Sequence, residues 1–418
     1  MSVLSVAERR TGSRRSGVLA HGAGFWVIAF AFLVAMAFAA APTPLWAIYQ
    51  AHDGFSTFMV TVAFAAYAFG VVLSLFLAGH VSDWVGRRRV LLTAMLIEIA
   101  AAVAFLSSTS LPVLIVARVI AGLGIGLITA TATAHLSELH AAARPGADRT
   151  RSDMVSTAAN MGGFAVGPLI AGLLAQYVSG PLRTPYLVFL GLLVLSAVGV
   201  ALVPETVERA ETRPAYRVQR VSVPADARPK FFAAAAAAFA ALAVLGLFTS
   251  LAPSFVAVTM HHPSRALAGL VTFLVFGAAA GAQLALARLA RLRQLGGGLA
   301  LMVLGLAGVT AGVWAPSLTL FIVSGVVVGA GGGLLFKGTI STVVGLAAPQ
   351  ARGEALAGVF LAAYAGLAVP VLGLGIATQY VSGRAALAGF SALLIALCVA
   401  VGPRLLTGGA APVAAARS

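Results

Sequence analysis

Charge is scarce in this chain and acid scarcer still: 9% of its 418 residues are charged, and 12 Asp and Glu stand against 27 Lys and Arg. Ordinary globular domains carry roughly 25% charged residues. With 60% hydrophobic residues and a mean hydropathy of +1.01, this chain is excluded from that class. It reads as a polytopic membrane protein. There is one cysteine, Cys398, so no intrachain disulfide can form, and its place in the last apolar run suits a small buried residue. No Walker loop is present to use ATP. The apolar runs contain no His-Glu-x-x-His or Ser-His-Asp set, which argues against a membrane-embedded enzyme. His261 and His262 have no third ligand nearby, which argues against a metal site. Short loops leave little space for a receptor's ligand or signalling domain.

What the chain does have is apolar length. A span needs about 20 apolar residues, and twelve runs qualify, centred near residues 35, 68, 99, 122, 166, 194, 245, 277, 306, 330, 368 and 393. Ser13-Arg14-Arg15 followed by an apolar run ending Ala37-Phe38-Ala39 resembles a secretory signal, but the run continues to about Tyr49, so retention as a first span is expected. With the amino terminus inside, 22 of the 27 Lys and Arg fall on the cytoplasmic side; Arg183, Arg265 and Arg384 lie opposite, and Arg118 and Lys337 lie within spans. That asymmetry follows the positive-inside rule. It accounts for the net charge of +15 without nucleic acid, since no basic stripe is interleaved with aromatics.

Between the second and third spans runs GHVSDWVGRRR, Gly79 to Arg89. One Asp and three consecutive Arg cannot lie in hydrocarbon, so both flanking helices must reach one aqueous face there. The run resembles the signature loop of the major facilitator superfamily, and five defining positions match: Gly79, Asp83, Gly86, Arg87 and Arg88. At the carboxy-terminal end of a helix an extra carboxylate is unfavourable. Asp83 therefore needs a partner, either Arg87 or Arg88 or the amino terminus of another helix. The resemblance implies that this helix is the eleventh, starting near Glu354, and that the contact gates the cytoplasmic side. The plainer alternative is that the loop only sets topology.

Residues 205–230 are the only long polar interior stretch, with six spans on each side. The expected organisation is a tail over 1–21, a six-helix half over 22–204, a cytoplasmic linker over 205–230, a second half over 231–402 and a tail over 403–418. Internal repetition supports it. GFAVGPLIAGLLAQYVSG (163–180) aligns without gaps to GLAVPVLGLGIATQYVSG (366–383), and Gly122, Gly124 and Gly126 have an echo in Gly329, Gly331 and Gly333. Two parallel six-helix repeats fit a transporter whose site lies near the midplane. The second half keeps Arg288 to Arg293 after its second helix but has no Asp matching Asp83. Its gate, if there is one, is weaker or built differently.

Further candidates lie inside the spans. An intramembrane Arg is costly enough to be a functional hypothesis by default. Arg118, followed by Gly122, Gly124 and Gly126, resembles the superfamily's fourth-helix motif, which implies proton coupling; the alternative is an ion pair or a snorkelling side chain. Glu98 is the only acid well inside a span, and buried without a cation it would hold its proton, as a proton carrier needs. Helices three and four are adjacent, so Glu98 and Arg118 are expected within reach of each other. The resemblance places helix three outside the cavity, which leaves a structural pair as the alternative. Gly163, Gly167, Pro168 and Gly172 resemble the superfamily's antiporter motif, which implies a hinge and export; ordinary helix packing in lipid, where Gly and Pro are common, is the plainer alternative. Asn160, Lys337 and Tyr364 are candidate cavity groups; interhelical hydrogen bonding, and snorkelling for Lys337, are their plainer readings.

The resemblance thus implies a proton-coupled antiporter of the cell membrane, multi-pass with both termini cytoplasmic, exporting a small organic solute or drug as a monomer. The alternative is a proton-driven uptake symporter for a sugar or other metabolite. The expected partners are the solute, protons and the lipid bilayer. No cofactor is expected beyond the proton gradient as energy source.

Overall fold

A computed structural model describes residues 19–78, 81–207, 227–347 and 351–407. Gly79 and most of both tails and of the 205–230 segment lie outside the described residues; the last span runs on to Leu406, past the expected boundary at 402. Among those described are twelve helices long and apolar enough to cross a membrane. They are α1 (His21–Asp53), α2 (Thr57–Ala78), α3 (Arg87–Ser107), α4 (Leu111–Ala143), α5 (Thr150–Tyr177), α6 (Thr184–Leu202), α7 (Arg228–Ser250), α8 (Arg265–Ala285), α9 (Arg291–Trp314), α10 (Leu318–Leu346), α11 (Arg352–Ala377) and α12 (Gly383–Leu406). Helices satisfy their own backbone groups, so this is the architecture that apolar runs of this length can adopt in lipid.

The two halves pack alike. In the first, α1 lies against α4, α5 and α6, while α4 also packs on α2 and α3; in the second, α7, α10, α11, α12, α8 and α9 take the corresponding places. The halves meet along two seams, α5 against α8 and α2 against α11. Small residues make both seams close. A Cβ on Gly172 of α5 would lie 2.5 Å from the carbonyl oxygen of Arg265 of α8, and one on Gly375 of α11 would strike the Thr61 hydroxyl of α2. Gly172 and Gly375 are equivalent positions of the 163–180 and 366–383 repeat. The internal repeat is therefore a repeat of packing roles as well as of letters.

Two departures from regular helix position the site. Pro42 and Pro44 interrupt α1, leaving a helix over His21–Ala40, a 3-10 turn over Thr43–Leu45 and a second helix from Trp46. Neither proline can donate to the helical ladder. In the other half, α7 is followed by a short helix with Pro253 at its second position and a π-helical turn over Phe255–Thr259. The broken ends of α1 and α7 meet, and the Ser254 hydroxyl donates to Gln50 Oε1 at 2.9 Å.

Candidate functional site

The basic loop is built on Arg87. Its guanidinium pairs with Asp83 (2.6 Å) and with Glu138 at the end of α4 (3.0 Å), and donates to the Ser82 hydroxyl at 2.6 Å. Gly86 turns the chain with φ +111°, in the region that L side chains avoid, and a Cβ there would also meet the Glu205 carboxylate. Glu205, just past α6, accepts from the backbone N–H of Arg87 (2.9 Å) and of Arg88 (3.2 Å). A carboxylate at the amino end of α3 suits the positive pole of that helix. The Thr206 hydroxyl donates to Glu138 and closes the network. The loop after α2 and the ends of α3, α4 and α6 are thus tied on one face.

Of the two partners expected for Asp83, the described contact is with Arg87. Asp83 and Gly353, at the start of α11, line one cavity of ≈ 250 Å³. Among the described residues no hydrogen bond joins Asp83 to α11. Across the membrane the halves are held together: besides Ser254–Gln50, the backbone N–H of Arg265 donates to the Gln176 side chain (3.0 Å) and its guanidinium to the Ala175 carbonyl (2.9 Å). All hydrogen bonds between halves among the described residues lie at that opposite face. A vestibule of ≈ 820 Å³ sits beside these contacts, lined by Gln50, His52, Ser254 and Arg265 among others.

Between the halves lies a central cavity of ≈ 80 Å³. Its wall comes from α1, α2, α4 and α5 of the first half and from α7, α8, α10 and α11 of the second; none comes from α3, α6, α9 or α12. Arg118, Asn160 and Tyr364 are on this wall, as are Thr43, Tyr67, Thr129, Thr249 and several phenylalanines. Lys337 is not. Its ammonium donates to the carbonyl of Gln283 on α8 at 2.7 Å, so it ties α10 to α8 and the cavity role expected for it is not what the geometry gives.

Arg118 is 1% exposed. Its Nη1 donates to the Ala39 carbonyl at 2.8 Å, at the proline break of α1. Its guanidinium carbon lies over the rings of Trp46 (5.2 Å), Tyr67 (5.4 Å) and Phe64 (5.9 Å), an arrangement that favours a cation. The expected approach of Glu98 to Arg118 is not seen. The Glu98 carboxyl sits instead against Gly124, where a Cβ would strike Oε1, and neither of its oxygens has a hydrogen-bond partner. The reason is register: Gly124 lies six residues beyond Arg118, nearly two helical turns along α4. Glu98 is fully buried behind α4, off the cavity wall.

On α5, Gly163 and Gly167 press on α1 at Met36 and Ala37, while Gly172 meets α8. Pro168 lies within α5, and its carbonyl is what a Cβ on Gly269 of α8 would strike. This glycine and proline run therefore sits where α5 contacts both its own half and the other. Sequence reasoning missed Glu138, and placed Glu205 only at the start of the polar 205–230 stretch. In a chain with 12 acids, every acid near the basic-loop end of a helix was a signal.

Two matching six-helix halves thus enclose a cavity on their pseudo-symmetric seam, with the contacts between them set at one end. The family model of the Major Facilitator Superfamily matches residues 27–307, more than half of the chain. The chain belongs to that superfamily. Among solved structures it is similar to the human organic anion transporter MFSD10 (TETRAN), at TM-score 0.66 and 18% identity over 91% of this chain and 99% of that one. It is also similar to the nucleoside transporter NupG, at TM-score 0.70 and 12% identity over 91% and 99%. A peptide transporter, POT, solved with alafosfalin, matches at TM-score 0.71 and 15% identity over 92% and 96%. Identities this low establish the shared fold. A stretch of 83 residues, 20% of this chain, is 34% identical to the arabinose-proton symporter of Bacillus subtilis (strain 168), and spans only 18% of that protein.

Proposed function

We propose that this protein is a proton-coupled antiporter of the cell membrane that exports a small organic solute or drug by alternating access, with the Arg87 loop on the cytoplasmic face. The observation that carries the coupling is Glu98. An ionised carboxylate buried without a partner costs several kcal/mol, whereas the protonated carboxyl is neutral. Loss of the proton would drive Glu98 off Gly124 and so shift α4, which carries Arg118 into the cavity. Glu98 and Arg118 then act through one helix and not as an ion pair. The Asp83–Arg87–Glu138 network serves as the cytoplasmic gate: with Asp83 held by Arg87, the approach of α11 is released. Gly167 and Pro168 serve as the hinge. The antiporter-like run on α5 supports export.

Uptake symport is the second reading, favoured by the arabinose-proton symporter match. Vesicles containing the purified protein separate the two. A resistance and accumulation screen of an overexpressing strain first identifies the solute. Antiport predicts that adding the solute to one side makes protons move toward that side; co-movement would sink the export reading. Glu98→Gln should leave solute exchange but abolish its response to an imposed pH difference. A variant still driven fully by pH would remove Glu98 from its role.

A further inference from the structure

The central cavity carries one fixed charge, and that charge is positive. Arg118 is the sole ionisable cation on the wall, and no Asp or Glu lines it. Among the described residues no carboxylate lies within ion-pair distance of its guanidinium. Around it are donors with nothing to donate to: Arg118 Nε, the Tyr67 hydroxyl, the Thr43 hydroxyl and, beneath the guanidinium, Trp46 Nε1. Thr43 is 0%, Arg118 1% and Tyr67 2% exposed. Buried polar groups are expensive to leave unmade, and an isolated buried cation more so. The stacked rings of Trp46 and Tyr67 offset part of that cost, and the Ala39 carbonyl satisfies one nitrogen. The remaining donors converge from three elements: the α1 break, α2 and α4. Opposite them the wall is aromatic, with Phe276, Phe336 and Phe360 from the second half.

We propose that this cavity, ≈ 80 Å³ with the halves closed over it and wider once they part, selects organic anions: solutes with a carboxylate or sulfonate seated on Arg118, Tyr67 and Thr43, and an apolar, preferably aromatic body against the phenylalanines. The assignment rests on the reading of the protein as a transporter and adds the class of its solute. Several hydrogen bonds to one anionic group, one of them from a guanidinium, are worth far more in a dry cavity than in water. An amide of the same shape brings its own donors to a site made of donors. An amine brings a second positive charge.

The test uses the full chain purified in detergent, with thermal unfolding and tryptophan emission as readouts, Trp46 being the internal reporter. The probes are benzoate, phenylacetate and benzenesulfonate against benzamide, phenylacetamide and benzylamine at matched concentrations. The acids are expected to bind more tightly than the amides by about tenfold or more, and benzylamine not to bind. Arg118→Gln should remove the preference and Arg118→Lys keep part of it. Should Arg118→Gln fail to fold, Tyr67→Phe and Thr43→Val should each reduce the preference without changing charge. Equal or better binding of amides or benzylamine, an unchanged preference in the variants, or no response to any acid would overturn the proposal. Flux in vesicles keeps the two readings apart. Acid-selective binding without pH-driven flux overturns the coupling and leaves the solute class, whereas pH-driven flux of amines or neutral solutes does the reverse.

Discussion

In the first half the middle glycine of α4, Gly124, is covered by the carboxyl of Glu98 on α3; in the second, the matching Gly331 of α10 is covered by the backbone of Leu301 and Met302 and by the Leu301 side chain of α9. The flanking glycines behave alike in both halves. Gly122 and Gly126 press on Tyr67, Gly70 and Ser74 of α2, and Gly329 and Gly333 on Val275 and Ala279 of α8. The same framework thus accepts backbone and an aliphatic side chain where the first half places an acid. Packing alone does not require Glu98. The basic loops diverge in the same sense: Asp83, Glu138 and Glu205 organise the first, whereas after α8 the Gln294 amide donates to the carbonyls of Leu286 (3.2 Å), Ala287 (3.3 Å) and Leu289 (3.2 Å). Arg288, Arg291 and Arg293 are exposed. Among the described residues, the first half carries the unpartnered buried acid and the paired Arg87 network, and the second half repeats the outline without them.

The sharpest way to break this comparison is to make the first half resemble the second. Glu98→Met should abolish pH-driven transport in vesicles, the largest effect expected, and at the same time raise stability by about 1–3 kcal/mol, because an unpartnered buried polar group is removed. Lower stability in thermal unfolding would mean that Glu98 holds the fold together. Next comes Arg87→Ala, which leaves Asp83 and Glu138 facing each other without their cation. Removing one partner of a buried pair costs about 3–5 kcal/mol, and partial exposure of both acids lowers the expected loss to about 2 kcal/mol. In the second half, Gln294→Ala should cost about 1–2 kcal/mol through the carbonyls it leaves unbonded, read in the same thermal unfolding. Glu205→Gln should cost about 1 kcal/mol by weakening the cap of α3, read as earlier unfolding of the solubilised protein. The smallest effect is expected for Arg288→Ala, within about 0.5 kcal/mol of the parent.

Much of this was legible in the chain. Apolar runs of span length dictated helices, the 163–180 and 366–383 repeat divided them into halves, and the basic loop stood out because three arginines cannot enter lipid. Arg118, Asn160 and Tyr364 read from sequence as candidates do reach one cavity. Lys337 does not, because its long side chain finds the Gln283 carbonyl on the neighbouring helix. Glu138 was hidden because nothing local marks it: its partner Arg87 is 51 positions away.

Composition and periodicity determined that this protein spans the membrane, how often, and where its basic loop and internal duplication fall, since hydrocarbon tolerates only helices with satisfied backbones and few charges. Which buried charges meet was left to the tertiary structure. The rise along α4 places Glu98 and Arg118 nearly two turns apart, and the proline break in α1 supplies the carbonyl that Arg118 takes instead.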